Sequence, residues 1–155
     1  MAVTLNASTS SGLVQTADTT GIITLQNNGT NAVTVDNGNL QFNSGYGSVA
    51  TAYGCRAWVN FNGTTNTGGF CTIRGSGNVT TVADRGTGLY TINFTTAMPD
   101  ANYCGVASAT VGGASNSNRD SAVGPANTSS AYCNSWVADS GSFIDVEVIC
   151  AAIFR

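Results

Sequence analysis

The chain contains no histidine and no lysine. The first absence excludes Ser-His-Asp and Cys-His nucleophilic catalysis and every zinc site built on imidazole. The second leaves five scattered arginines and a net charge of −3, without the clustered cations that phosphate binding needs, so nucleic acid is excluded as a partner. Only 8% of the 155 residues are charged, about a third of the ordinary share. Glu and Leu are scarce and Gly totals 19, so no helix is expected. No GxxxxGK[ST] occurs, and no GxGxxG opens a helix, so no nucleotide cofactor is implied. No apolar run approaches the roughly 20 residues needed to span a bilayer. The opening MAVTLNAST has neither the basic nor the apolar region of a secretory leader, so synthesis and assembly in a cytoplasm are the expectation.

What remains is a surface of Thr, Ser, Asn and Gly, which suits strands. So little charge weakens the usual protection against association, a liability removed if much of that surface is covered between subunits. Short alternating runs, AWVNF, FCTIR, VTTVA and LYTINF, are separated by turn clusters, NGTTNTGG, GSGN and DRGTG. In the first run Cys55, Ala57, Val59 and Phe61 share a face, opposite Arg56, Trp58 and Asn60. In the last, Tyr90, Ile92 and Phe94 oppose Leu89, Thr91 and Asn93. Before residue 43, strands of four or five residues alternate with turns at Asn28-Gly29 and Asn37-Gly38. Residues 43–54 are rich in Gly, Ser and small side chains and read as a linker, with Tyr46 and Tyr53 in it. Residues 112–130 have little apolar content and no periodicity and read as a long loop. In the terminal run, Ile144, Val146 and Val148 oppose Asp145 and Glu147, and from Ile149 both faces are apolar, as in a strand between two layers. The expected fold is all-β: an antiparallel, jelly-roll-like β-sandwich body over 55–155, and an N-terminal β-rich arm and linker over 1–54 whose short strands need a partner, either the body or other copies of the arm.

The wording of the body also resembles a known family. Cys55-Arg-Ala-Trp-Val-Asn-Phe-Asn-Gly63, then Gly77-Asn-Val79, then the run from Gly88 through LYTINFTTAMPDA to Asn102-Tyr103 look like the C-terminal domain of tail-fibre and other surface proteins of tailed bacteriophages. The final VICAAIFR looks like that family's last strand. The resemblance implies a homotrimeric, non-enzymatic virion structural protein, of fibre or receptor-binding type, on the particle surface. Its implied partners are itself, other virion proteins of the tail or capsid, and a host cell-surface glycan or protein. A capsid decoration protein that clamps capsomers through the arm is the alternative within the family. A small glycan-binding or glycan-degrading domain is the alternative outside it.

Five cysteines, Cys55, Cys71, Cys104, Cys133 and Cys150, have no metal-ligand spacing. They read as small buried hydrophobes that stay reduced, with one or two disulfides as the other possibility. A glycosidase would need two carboxylates roughly 5–10 Å apart. Asp145 and Glu147 are the best-spaced pair, and the plainer reading is a solvated strand edge. Asp84-Arg85 and Arg119-Asp120 read as local ion pairs or turn formers. Six Asn-x-Ser/Thr matches are what a chain so rich in Asn and Thr produces by chance. No catalytic residue, metal ligand or cofactor is assigned. For ligand binding the candidates are Asn116, Asn118, Arg119 and Asp120 of the long loop, with Trp136 beyond it. Trp58 is expected to be covered, by a second sheet or a neighbouring subunit.

Overall fold

A computed structural model describes residues 21–36, 38–42, 50–111 and 118–155. Among the described residues every regular element is a strand and every strand pairing is antiparallel. The chain divides into two compact units, Met1–Ala52 and Tyr53–Arg155.

The first unit carries β1 (Ile23–Asn27), β2 (Thr30–Asp36), β3 (Asn39–Phe42) and β4 (Ala50–Thr51), paired in that order. Asn28 and Gly29 join β1 to β2 with φ of 48° and 75°. Two positive φ values make the turn whose twist matches the strands it joins, and Asn-Gly supplies them at least cost. The next turn runs from Asp36 to Asn39; its Asn37 lies outside the described residues. Register sorts the side chains by chemistry. Ile23, Val35 and Leu40 form one cross-strand row, and Leu25, Val33, Phe42 and Ala50 the next. Thr24, Thr34, Gln41 and Thr51 align on the opposite face.

The second unit holds β5 (Cys55–Thr67), β6 (Phe70–Gly77), β7 (Val79–Asp84), β8 (Leu89–Phe94), β9 (Cys104–Thr110), β10 (Arg119–Asn127), β11 (Ser130–Val137) and β12 (Val148–Phe154). They form one sheet in the order β10-β11-β8-β7-β6-β5-β12-β9, not two separately bonded sheets. The sheet curls until its two edges meet. Gly105 of β9 lies so near β10 that a Cβ there would sit 2.5 Å from Val123. The body is thus a nearly closed barrel-like sheet, with side-chain packing in place of a hydrogen-bonded ladder along the β9–β10 seam.

Period two sets the core. Ala57, Val59 and Phe61 of β5, Tyr90, Ile92 and Phe94 of β8, Ala131 and Cys133 of β11, and Ile149, Ala151 and Ile153 of β12 all point inward and are buried. The Phe61 and Tyr90 rings meet edge to face, 5.1 Å between centroids. Each large side chain so enclosed contributes about 1.5–3 kcal/mol. Tyr103 braces the seam from one end. Its hydroxyl donates to the Ser130 carbonyl at 2.5 Å and accepts from the Ala126 amide at 3.3 Å, and its ring packs on Phe94. Arg155 pairs with Asp100 and ties the end of β12 to the turn before β9.

Four expectations are corrected. Residues 119–127 of the expected long loop are β10, a strand paired along its length with β11. Its alternating Ser121 and Val123 against Asp120, Ala122 and Gly124 are too small to announce a strand, and Pro125 is tolerated because β10 is a sheet edge. The NGTTNT of the first turn cluster extends β5, and only Gly68-Gly69, with φ of 63° and 89°, makes the turn. The GSGN cluster is not a hairpin loop: Asn78 alone turns the corner between β6 and β7, with φ 56°. Its side chain replaces the missing ladder, donating to the carbonyls of Arg56 and Thr96 and accepting from the Thr96 amide. Finally, β12 begins at Val148, with Val146 buried ahead of it. Val148, Cys150, Ala152 and Phe154 therefore face outward, half-buried, and no second layer covers that side within the described body.

Candidate functional site

The outer face of β10, β11 and β8 gathers polar and aromatic side chains in register. Trp136 lies opposite Asp120. Asn134 lies between Ala122 and Leu89, and Tyr132 between Gly124 and Thr91. At the end of this face the turn after β7 brings Arg85 over Tyr132, its guanidinium carbon 5.1 Å from the ring centroid. A shallow pocket of about 290 Å³ opens between Arg85, Leu89, Tyr90, Tyr132 and Asn134.

The turn is built so that Arg85 is left over. Asp84 is its sequence neighbour, yet one carboxylate oxygen accepts from the Gly86 amide at 2.8 Å and the other from the Asn66 amide group at 2.7 Å. The Arg85 amide donates to the Leu89 carbonyl, and the Leu89 amide returns to Gly86. Of the two expectations for Asp84-Arg85, the turn former is what the structure holds, through the Gly86 amide, and the ion pair is not formed. Among the described residues Arg74 pairs with Glu147, Arg155 with Asp100, and Arg119 donates to the Asn118 carbonyl. Arg85 donates from its side chain to no described residue and rests instead on an aromatic face.

The candidates named from sequence come together only in part. Asp120 and Trp136 share the face just described, and Trp136 also bridges to Phe143. Arg119 does not belong with them. It alternates to the other side of β10, half-buried, its Nε enclosed without a hydrogen-bond partner. Arg119 and Asp120 form no ion pair, because adjacent strand residues point apart. Asn118 is spent on Asp139. Asn116 lies outside the described residues, as does Tyr46.

Asp145 and Glu147 precede β12 and do not act as a pair. Asp145 accepts from the Gly88 amide at 2.7 Å and the Tyr90 hydroxyl at 3.0 Å, closing one end of the barrel. Burial holds the Tyr90 phenol above its ordinary range, and the neighbouring Asp145 charge adds to this. Glu147 is exposed beside Arg74 at 3.6 Å. This end of the fold is structural in its bonding.

Trp58 is 47% exposed, so no second sheet of the described body covers it, and of the two expected covers a neighbouring subunit remains. Its indole lies along β6 on Gly75 and Gly77, where a Cβ would come within 3.3 and 2.5 Å of the ring. It forms one wall of a trough of about 420 Å³, with Val106 as the other wall and Cys150 and Ala152 as the floor. Of the five thiols, all free, Cys71 and Cys133 are buried while Cys55 and Cys104 are exposed, so the reading of all five as buried hydrophobes fails for two. Both exposed thiols pair in register with Phe154 from opposite sides, a full strand apart, too far for a bond between them within one chain.

Sequence reasoning missed Arg85, Tyr132 and Asn134. Only the pairing of β8 with β11 unites them, and the spacing of the residues carries no sign of it. Comparison with protein-family models, with curated proteins and with solved structures finds no match to this chain.

Proposed function

We propose that this chain is a non-enzymatic structural protein of a tailed-phage particle, of the fibre or receptor-binding type, displayed on the particle surface as a homotrimer. The observation that carries the reading is the uncovered face of the first unit. Ile23, Leu25, Val35, Leu40 and Phe42 stand there side by side, each 38–53% exposed. A sheet with one apolar face is stable when that face is packed against another layer. Copies of the same arm supply such a layer, and the low charge of the chain offers little repulsion to oppose it. The trimer belongs to the same reading, as does attachment to tail or capsid proteins through the arm. The bonding of Asp145 supports a non-enzymatic role, since that carboxylate holds Gly88 and Tyr90.

Sedimentation of the full chain tests the assembly. A trimer at micromolar concentration is expected, and Leu25→Asn with Leu40→Asn should dissociate it while leaving the body folded. A wild-type monomer at that concentration sinks the reading. Copy number in intact particles tests the location. A number matching the capsid lattice would assign the chain to the head as a cement protein instead.

A further inference from the structure

We propose that the outer face of β10, β11 and β8 binds an acidic saccharide, with a sugar carboxylate on Arg85 and a neutral sugar beside it over Asn134, toward Asp120 and Trp136. The carboxylate end follows from Arg85. A guanidinium presents a planar fork of donors that matches a carboxylate, and the Tyr132 ring, 5.1 Å from its central carbon, gives it a support on this face. Asp84 makes no ion pair with it, its oxygens accepting instead from Asn66 and Gly86. Arg85 is the one cation on this face among the described residues, and one guanidinium calls for a single carboxylate, not a run of them.

The saccharide character follows from the rest of the face. Tyr132 is 47% exposed, and Trp136 stands four residues further along the same strand, roughly 13 Å away at strand rise. The apolar faces of pyranose rings pack on aromatic rings, and their hydroxyls need amide and carboxylate partners between. Asn134 and the Asp120 oxygen that does not accept from the Ser121 amide provide these, and Ala122 and Gly124 keep the face low. Asp120 also sets polarity. Its charge repels a second acid at the Trp136 end and accepts hydroxyls there, so a repeat alternating acidic and neutral sugars fits best. The inference deepens the surface-display reading and rests on it for biological meaning.

The test is calorimetric titration of the full chain with a short oligosaccharide alternating glucuronate and glucose. An all-glucose oligomer and an oligoglutamate peptide are the controls. Arg85→Gln should weaken binding about tenfold to a hundredfold, the loss expected for charge-assisted hydrogen bonds. Gly124→Leu should abolish it. The backbone at Gly124 is one any residue adopts and a Cβ there meets nothing within 4 Å, so the new side chain covers Tyr132 without disturbing the fold. Arg56→Gln, on another strand, should change nothing. The proposal is overturned if the acidic saccharide does not bind at millimolar concentration. It is also overturned if the all-glucose oligomer binds equally, if oligoglutamate binds in preference, or if Arg85→Gln binds as wild type. Failure here leaves trimer and particle location as they stand. A monomer absent from particles that still binds the saccharide would overturn only the surface reading.

Discussion

Replacing Tyr90 by Phe removes one oxygen from the closed end of the barrel and little else. The ring is 1% exposed and keeps its edge contact with Phe61. What is lost is a hydroxyl that lies 3.0 Å from Asp145 and 3.2 Å from the Gly63 carbonyl. A hydrogen bond to a charged group is worth about 1.5–3 kcal/mol, and Asp145 keeps its bond from Gly88. At about 2 kcal/mol, the melting temperature of a body this size should fall by roughly 10 °C. Urea denaturation followed by tryptophan fluorescence reads this directly, because both tryptophans, Trp58 and Trp136, lie in the body. The pH dependence gives a second handle. The folded phenol titrates above its ordinary value, so the unfolded chain releases this proton first, near pH 10. Stability from Tyr90 is full below that pH and is lost above it, about 1.4 kcal/mol by pH 11. Phe does not titrate, so the gap between the two proteins should narrow by that amount from pH 8 to pH 11. A difference under about 0.5 kcal/mol at neutral pH, or a gap that does not move with pH, would refute the account.

Other consequences are as direct. With a thiol reagent at pH 8, Cys55 and Cys104 should react first, and Cys71 and Cys133 only on unfolding. Burial, with Asp84 and Asp145 nearby, pushes the Cys71 thiol up to about 11, and burial pushes Cys133 up to about 12. Fast labelling of four thiols in the native protein would contradict this. Gly63→Ala should cost about 1–3 kcal/mol in urea denaturation, because its Cβ would stand 2.5 Å from the Tyr90 hydroxyl and 2.8 Å from the Val146 carbonyl. Asn78→Gly should cost about 2 kcal/mol for its lost hydrogen bonds, and Asn78→Ala about 1 kcal/mol more for the positive φ; equal losses would dismiss the backbone contribution. Gly105→Val should press on Val123, part β9 from β10 and raise light scattering on mild heating, before the tryptophan signal changes.

The strands that sequence announces are those whose inner face is filled by large side chains. Ala57, Val59 and Phe61, and Tyr90, Ile92 and Phe94, sit inward as their alternation predicts. Where the neighbour supplies the bulk, the signal fades. β10 brings Arg119, Ser121 and Val123 to its inner side, with little apolar bulk among them, and borrows its partner from β11, so it reads as a loop. The last strand misleads for a different reason. Val146 and Ile149 are both buried, three residues apart, and the change of phase between them is set by the turn through Glu147 rather than by any residue type. The candidate site is less legible still. Arg85 looks committed to Asp84 until Asn66 and Gly86 are seen to occupy that carboxylate.

The β9–β10 seam has a consequence for a chain with no lysine and few charges of any kind. Open sheets keep their edges from recruiting other molecules with charge, proline or cover. Here each edge is turned toward the other, and Val123 fits where Gly105 leaves room. That protection lasts only while the curl holds, so dispersal in water becomes a property of curvature. A local opening of one seam, far smaller than unfolding, would be enough to turn a discrete molecule into a template for fibres.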